Sequence, residues 1–180
     1  MKEFKPLLLF LARFLGTYLI LSFLYKLYLD QYLPHNIPDP FTVFTSDVSA
    51  IGLNKCGFFS FSNVAINQPW MRLVVDGQVA SIVNEGCNAI SILIIFVSFI
   101  VAFYTNFKQT FLFIITGLAA LFVMNISRIM LLNYIFRYHD EYGKIAHDYL
   151  FPALIYGSIV ILWIVWIKFF VTKYNKQNAK

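Results

Sequence analysis

Asn84-Glu85-Gly86-Cys87-Asn88-Ala89-Ile90-Ser91-Ile92-Leu93-Ile94-Ile95-Phe96-Val97 is the stretch on which the reading of this chain turns. A polar loop runs here into an apolar segment that continues to Tyr104. Apolar runs of roughly twenty residues are what the ~30 Å hydrocarbon core of a bilayer selects. Read as a membrane helix, the segment places Cys87 at a membrane–water boundary, at or near the helix N-terminus. The unsatisfied first N–H groups and the positive dipole end at such a position favour a thiolate.

Composition agrees with a membrane setting. Of 180 residues, 59% are hydrophobic, 19% aromatic and only 13% charged, and mean hydropathy is +0.69. Soluble domains carry about twice that share of charge. The expected class is an α-helical integral membrane protein with about four transmembrane helices, forming one membrane-embedded domain over residues 1–180. The formal charge of +5 does not argue for nucleic acid, because in such a chain the placement of the charges matters more than their sum.

The spans are expected at about 7–29, 88–104, 110–134 and 148–171. The first has a basic start, but its apolar run is too long for a signal peptide and no cleavage site follows, so it reads as a retained anchor. Residues 30–86 form the one long polar loop, which Pro34, Pro38 and Pro40 separate from the first span. Within it, Phe41, Phe44, Val48 and Ile51 recur at near-helical spacing and predict a short amphipathic surface helix over 41–53. From Gly57 the chain reads as extended. Asp76-Gly77 between Met71–Val75 and Gln78–Val83 is a strong β-hairpin signal, and its second strand leads straight to Cys87. Residues 135–146 read as a mixed-charge loop.

Loop charges orient the bundle. Lys2, Lys5, Lys108, Lys168, Lys173, Lys176 and Lys180 fall on one side, with Glu3 as the only acidic residue there. The long loop carries Asp30, Asp39, Asp47, Asp76 and Glu85 against Lys55 and Arg72. The positive-inside rule then puts both termini in the cytoplasm and the active face outside. Cys87, Arg128 and His147 all fall at the outer ends of their spans.

Each has a chemical reading and a plainer one. Cys87 is a nucleophile, a buried filler, or one half of a disulfide with Cys56. Arg128 lies inside a span, where an unpaired charge is costly, so it is a functional candidate, with snorkelling to the interface as the alternative. Asn125, three residues earlier on the same face, adds a second polar group. The expected role of Arg128 is to stabilise a thiolate and an oxyanion. His147 is the expected acid/base, with Asp148 beside it as a supporting group; the alternative is an interfacial histidine, and His139 lies in the charged loop. No metal-ligand spacing, glycine-rich phosphate loop or serine elbow is present, so neither a metal nor a cofactor is expected.

Glu85-Gly86-Cys87-Asn88-Ala89-Ile90 after a strand pair, then Asn125-Ile126-Ser127-Arg128-Ile129, then His147-Asp148 through Tyr156-Gly157, resembles the exosortase/archaeosortase family, most closely its short exosortase F branch. The resemblance covers roughly the C-terminal two-thirds of the chain. It implies a membrane-embedded, sortase-like cysteine protease or transpeptidase of the bacterial cytoplasmic (inner) membrane. Its partners would be the bilayer and proteins bearing a C-terminal sorting signal, made of a short motif, a transmembrane segment and a basic tail. It carries over Cys87 as nucleophile, Arg128 as stabiliser and His147 as acid/base. Many longer relatives have Cys-Ser-Gly where this chain has Cys87-Asn88-Ala89, and they have more spans. Two other classes stay open: a thiol–disulfide oxidoreductase using Cys56 and Cys87, and a non-catalytic membrane scaffold.

Overall fold

The structure, a computed structural model, describes residues 4–178; Lys2, Glu3 and Lys180 of the charge argument lie outside the described residues. Helix α1 (Lys5–Leu29) has proline in its first turn, where the missing N–H costs nothing. It is followed by one 3₁₀ turn, Leu33–His35. Helix α2 (Pro40–Lys55), strands β1 (Ser60–Val64), β2 (Met71–Val75) and β3 (Gln78–Val83), and helices α3 (Ile90–Ala102) and α4 (Phe107–Tyr138) come next. The last stretch holds α5 (Asp140–Ile145), a π-helical turn at Ala146–Leu150, α6 (Phe151–Val165), a second π-helical turn at Trp166–Val171, and α7 (Thr172–Asn178).

Three helical stretches are long and apolar enough to cross a bilayer: Pro6–His35, Phe107–Tyr138 and Asp140–Tyr174. The segment expected as a span over 88–104 contributes a helix of 13 residues. At 1.5 Å per residue that is about 20 Å, short of the ~30 Å core. It begins at Ile90 because Ala89 holds a left-handed backbone (φ 68°), which no helix propagates through. Cys87 therefore sits in a turn just before the helix.

The inner half of the bundle packs around Phe96 and Ile100 of α3, Leu121 of α4, Ile159 of α6 and Trp166. Gly117 lets α3 approach α4, since a Cβ there would overlap the Phe96 ring. Trp166 finds a partner for its indole N–H in the Phe103 carbonyl at 3.1 Å.

The outer half is built on α4. Its 32 residues run about 48 Å, well beyond the hydrocarbon thickness. The excess carries the sheet, an antiparallel β1-β2-β3 meander. Asp76 (φ 47°) and Gly77 (φ 78°) both have positive φ, as a two-residue type I′ hairpin turn requires. The Tyr138 hydroxyl at the end of α4 donates to Asp76, and Ser81 donates to Asn133 at 2.8 Å. The hairpin is thus tied at its tip and along β3. The expected hairpin gains a third strand from the extended stretch after Gly57.

Two expectations are corrected. Helix α2 exists, but its inward face is not the phenylalanine stripe: Thr42, Thr45, Ser46 and Ser49 are fully buried, whereas Phe44 and Ile51 are more than half exposed. Small hydroxyl residues let α2 lie close to its neighbours, and Gly52 sits against Met130. The outward phenylalanines pack on Phe122 of α4, with ring centroids 5.7 and 5.8 Å away. In a bilayer the exterior is apolar, so the usual inside–outside reading of an amphipathic helix inverts. The second correction concerns residues 135–146, which are helical: α4 runs through Tyr138 and α5 starts at Asp140, with His139 alone non-helical (φ −143°). A glycine at 143 makes room for the Phe136 ring at this corner.

Candidate active site

Cys87 lies in a turn set by local chemistry. Its N–H donates to the Asn84 carbonyl at 2.9 Å, and the Gly86 N–H donates to the Asn84 side chain at 3.1 Å. The thiol is partly buried against Met71, Val83 and Ile129, at the junction of the sheet with α4. The next residue fixes the turn from beneath. Asn88 is fully buried, and its amide donates to Thr42 Oγ1 at 3.0 Å and to the Tyr25 hydroxyl at 3.1 Å. Its carbonyl oxygen accepts the Ile90 N–H at 2.9 Å, satisfying one orphan donor of α3.

This network continues to Asp39, which is 1% exposed. Asp39 caps α2 by accepting the Phe41 and Thr42 N–H groups, each at 3.1 Å, and also accepts the hydroxyls of Tyr28 and Thr42. A buried carboxylate is tolerable only when so fully hydrogen-bonded. The sequence reading counted Asp39 among loop charges. Asp39-Pro40 is in fact an N-cap followed by proline at the first helical position, a signal that was available.

Asn125 and Arg128 meet Cys87 from α4. Asn125, fully buried, donates its amide to the Cys87 carbonyl at 2.9 Å. Its oxygen accepts from Arg128 Nη1 at 3.4 Å. Nε of Arg128 is buried with no partner, and among the described residues no carboxylate lies within ion-pair distance of the guanidinium. Most of its five N–H groups are therefore uncommitted.

His147 and Asp148 lie in the π-helical turn Ala146–Leu150, paired at 2.7 Å between Nδ1 and Oδ1, with both side chains about half exposed. Pro152 accounts for the turn: it has no N–H to give the preceding carbonyls, and its ring crowds the carbonyl four residues back. Such π turns concentrate at functional sites. Among the described residues, no hydrogen bond links His147 to Cys87 or Arg128. Phe151, one turn inward of His147, lines the same cleft as Arg128. His139 is set against Tyr134, with centroids 5.8 Å apart. Cys56 and Cys87 are both free thiols. Cys56 is exposed and lines a separate cleft with Phe58, Met130 and Tyr134, so the structure does not pair it with Cys87.

Neither the curated proteins nor the solved structures contain a match to the chain. The family model of the transmembrane exosortases matches residues 7–170. That match covers the anchor helix, the sheet, the Cys87 turn and the Arg128 and His147 helices alike, and the chain belongs to the transmembrane exosortase family, membrane-embedded processing enzymes of sortase-like type.

Proposed function

We propose that this exosortase is a cysteine transpeptidase or peptidase in which Cys87 is the nucleophile, Arg128 the electrostatic stabiliser and His147 the acid/base. The observation that carries the reading is Asn125, which bonds the Cys87 carbonyl on one side and Arg128 on the other. It holds a nucleophile and an under-used guanidinium in fixed relation. The Cys87 thiolate attacks the scissile carbonyl carbon, and the oxyanion formed takes N–H donors from Arg128. Collapse breaks the C–N bond to give a thioester, and His147 gives a proton to the departing amine. An acceptor nucleophile then attacks the thioester, loses its proton to His147 and returns Cys87 as the thiol. Asp148, paired to Nδ1, orients the ring so that the other nitrogen serves in proton transfer.

The substrates in this reading are proteins whose C-terminus carries a short motif, an apolar helix and a basic tail. The site faces outward, because Lys108, Lys173 and Lys176 stand at the opposite end of the bundle. The hairpin and α2 form the wall past which an extended segment enters.

Processing of a co-encoded protein with such a C-terminus, at matched membrane expression, tests this. Loss with Cys87→Ser and retention with Cys56→Ser is the expected result. Equal loss with both would favour a redox pair, and no loss with either would favour a scaffold.

A further inference from the structure

A continuous apolar groove runs between α4 and the last membrane helix. Its outer part is lined by Met124, Ser127, Arg128 and Leu131 of α4 with Phe151 and Leu154 of α6. Its inner part continues past Met124 to Ala120 on one wall and Ser158 and Ile161 on the other. The Ser158 hydroxyl lies 2.8 Å from the Met124 sulfur, across the floor. From Arg128 to Ala120 the wall descends eight helical positions, about 12 Å toward the bilayer midplane.

We propose that this groove seats the apolar transmembrane segment of the protein substrate, entering from the lipid as a single helix; the proposal rests on the processing reading above and names where its substrate docks. Three observations select a helix over lipid chains alone. First, the groove is flanked by two spans that both cross the membrane, so its axis matches that of a third helix. Second, its outer end is polar in one place only, at Arg128, whose guanidinium has uncommitted N–H groups and no carboxylate partner among the described residues. An acyl chain offers nothing to that group. A polypeptide leaving its helix offers backbone carbonyls there, which are unsatisfied at that point. Third, positions 147, 151, 154, 158 and 161 follow the four-three spacing of one helix face. That places His147 at the head of the wall formed by Phe151, Leu154, Ser158 and Ile161. A substrate helix in the groove thus delivers the residues just before it to the end where Arg128 and His147 stand.

The test is photo-crosslinking in membranes, scored in a Cys87→Ser background so that the result does not depend on turnover. A photo-crosslinking amino acid replaces Leu154 or Ile161 in the groove, or Phe23 on the exposed face of α1 as a control. The probe is a co-encoded protein with a C-terminal apolar helix and basic tail. Adducts at 154 and 161 but not at 23 are expected, and a single-span protein of opposite orientation should give none. In the active chain, Ser158→Trp and Ala120→Trp should each lower processing roughly tenfold at limiting substrate, the size of one lost interhelical packing contact. Adducts with lipid only, or equal adducts at all three positions, overturn the groove. Cys87-dependent processing undisturbed by both tryptophans overturns it while leaving the catalytic reading in place. Adducts at 154 and 161 with processing insensitive to Cys87→Ser uphold the groove and overturn the catalytic reading instead.

Discussion

The side-chain amide of Asn125 donates to the backbone carbonyl of Cys87 across 2.9 Å, joining two residues 38 positions apart in the chain. Both partners are polar groups in an otherwise apolar setting, so neither has water as an easy substitute. Asn125→Ala leaves the Cys87 carbonyl unpaired and removes the acceptor used by Arg128. A buried unsatisfied group costs about 1–3 kcal/mol, and Tm in detergent should fall accordingly. Asn125→Asp keeps an acceptor for Arg128 but sets a carboxylate oxygen against the Cys87 carbonyl. It should lose processing as severely as the alanine variant. Wild-type processing by both variants would separate Asn125 from the site.

Arg128 should behave differently, because removing it orphans no buried charge: its sole hydrogen-bond acceptor is Asn125. Uncharged Arg128→Met is expected to fold at least as well as wild type, since hydrophobic replacement relieves the cost of a partly buried cation. Processing should nonetheless drop by roughly 10²–10³, the range for loss of one oxyanion donor group. Arg128→Lys keeps the charge but loses the planar fork, and should restore only part of the activity. Parallel thermal unfolding and turnover assays would check the split. A large Tm loss in Arg128→Met would show instead that the arginine is structural.

Much of this arrangement is legible in the sequence, for identifiable reasons. Asp76-Gly77 gives the hairpin because few other pairs tolerate two positive φ values in succession. The i, i+3 spacing of Asn125 and Arg128 puts them on one face of any helix, and the structure makes them neighbours. The burial of α2 was not legible, since a phenylalanine stripe marks the core in water but the exterior in lipid. Nor was the short α3: its apolar run looks uninterrupted, and the interruption is a backbone conformation at Ala89 that alanine rarely adopts. The buried Asn88–Thr42–Asp39 network joins residues far apart in the chain, and local patterning carries no trace of such a contact.

The left-handed conformation of Ala89 (φ 68°) can be tested directly. For an L-residue with a Cβ this region costs about 1–2 kcal/mol relative to right-handed backbone; glycine visits it freely. Ala89→Gly should raise Tm, with a net gain of roughly 1 kcal/mol or less after the added entropy of the unfolded chain. Ala89→Val should lower it, since β-branching makes positive φ harder still. If Ala89→Gly is destabilising, the turn after Cys87 is not in this conformation.

Two glycines in membrane helices should respond in opposite ways to the same change. A Cβ at Gly117 would overlap the ring of Phe96, whereas one at Gly16 meets nothing within 4 Å. Phe96 is fully buried, enclosed by Ile100, Leu121 and Trp166, so its ring has no free volume to move into. Gly117→Ala must therefore push α3 away from α4, and overpacking of that kind costs about 1–3 kcal/mol. Because α3 starts directly after the Cys87 turn, the displacement also reaches the nucleophile, and processing should fall with stability. Gly16→Ala removes backbone freedom at an open lipid-facing position and should stabilise α1 by up to about 1 kcal/mol, with processing unchanged. Unfolding of both variants in one detergent would decide the matter. Equal effects at the two positions would mean that the α3–α4 contact is looser than the Phe96–Gly117 packing requires.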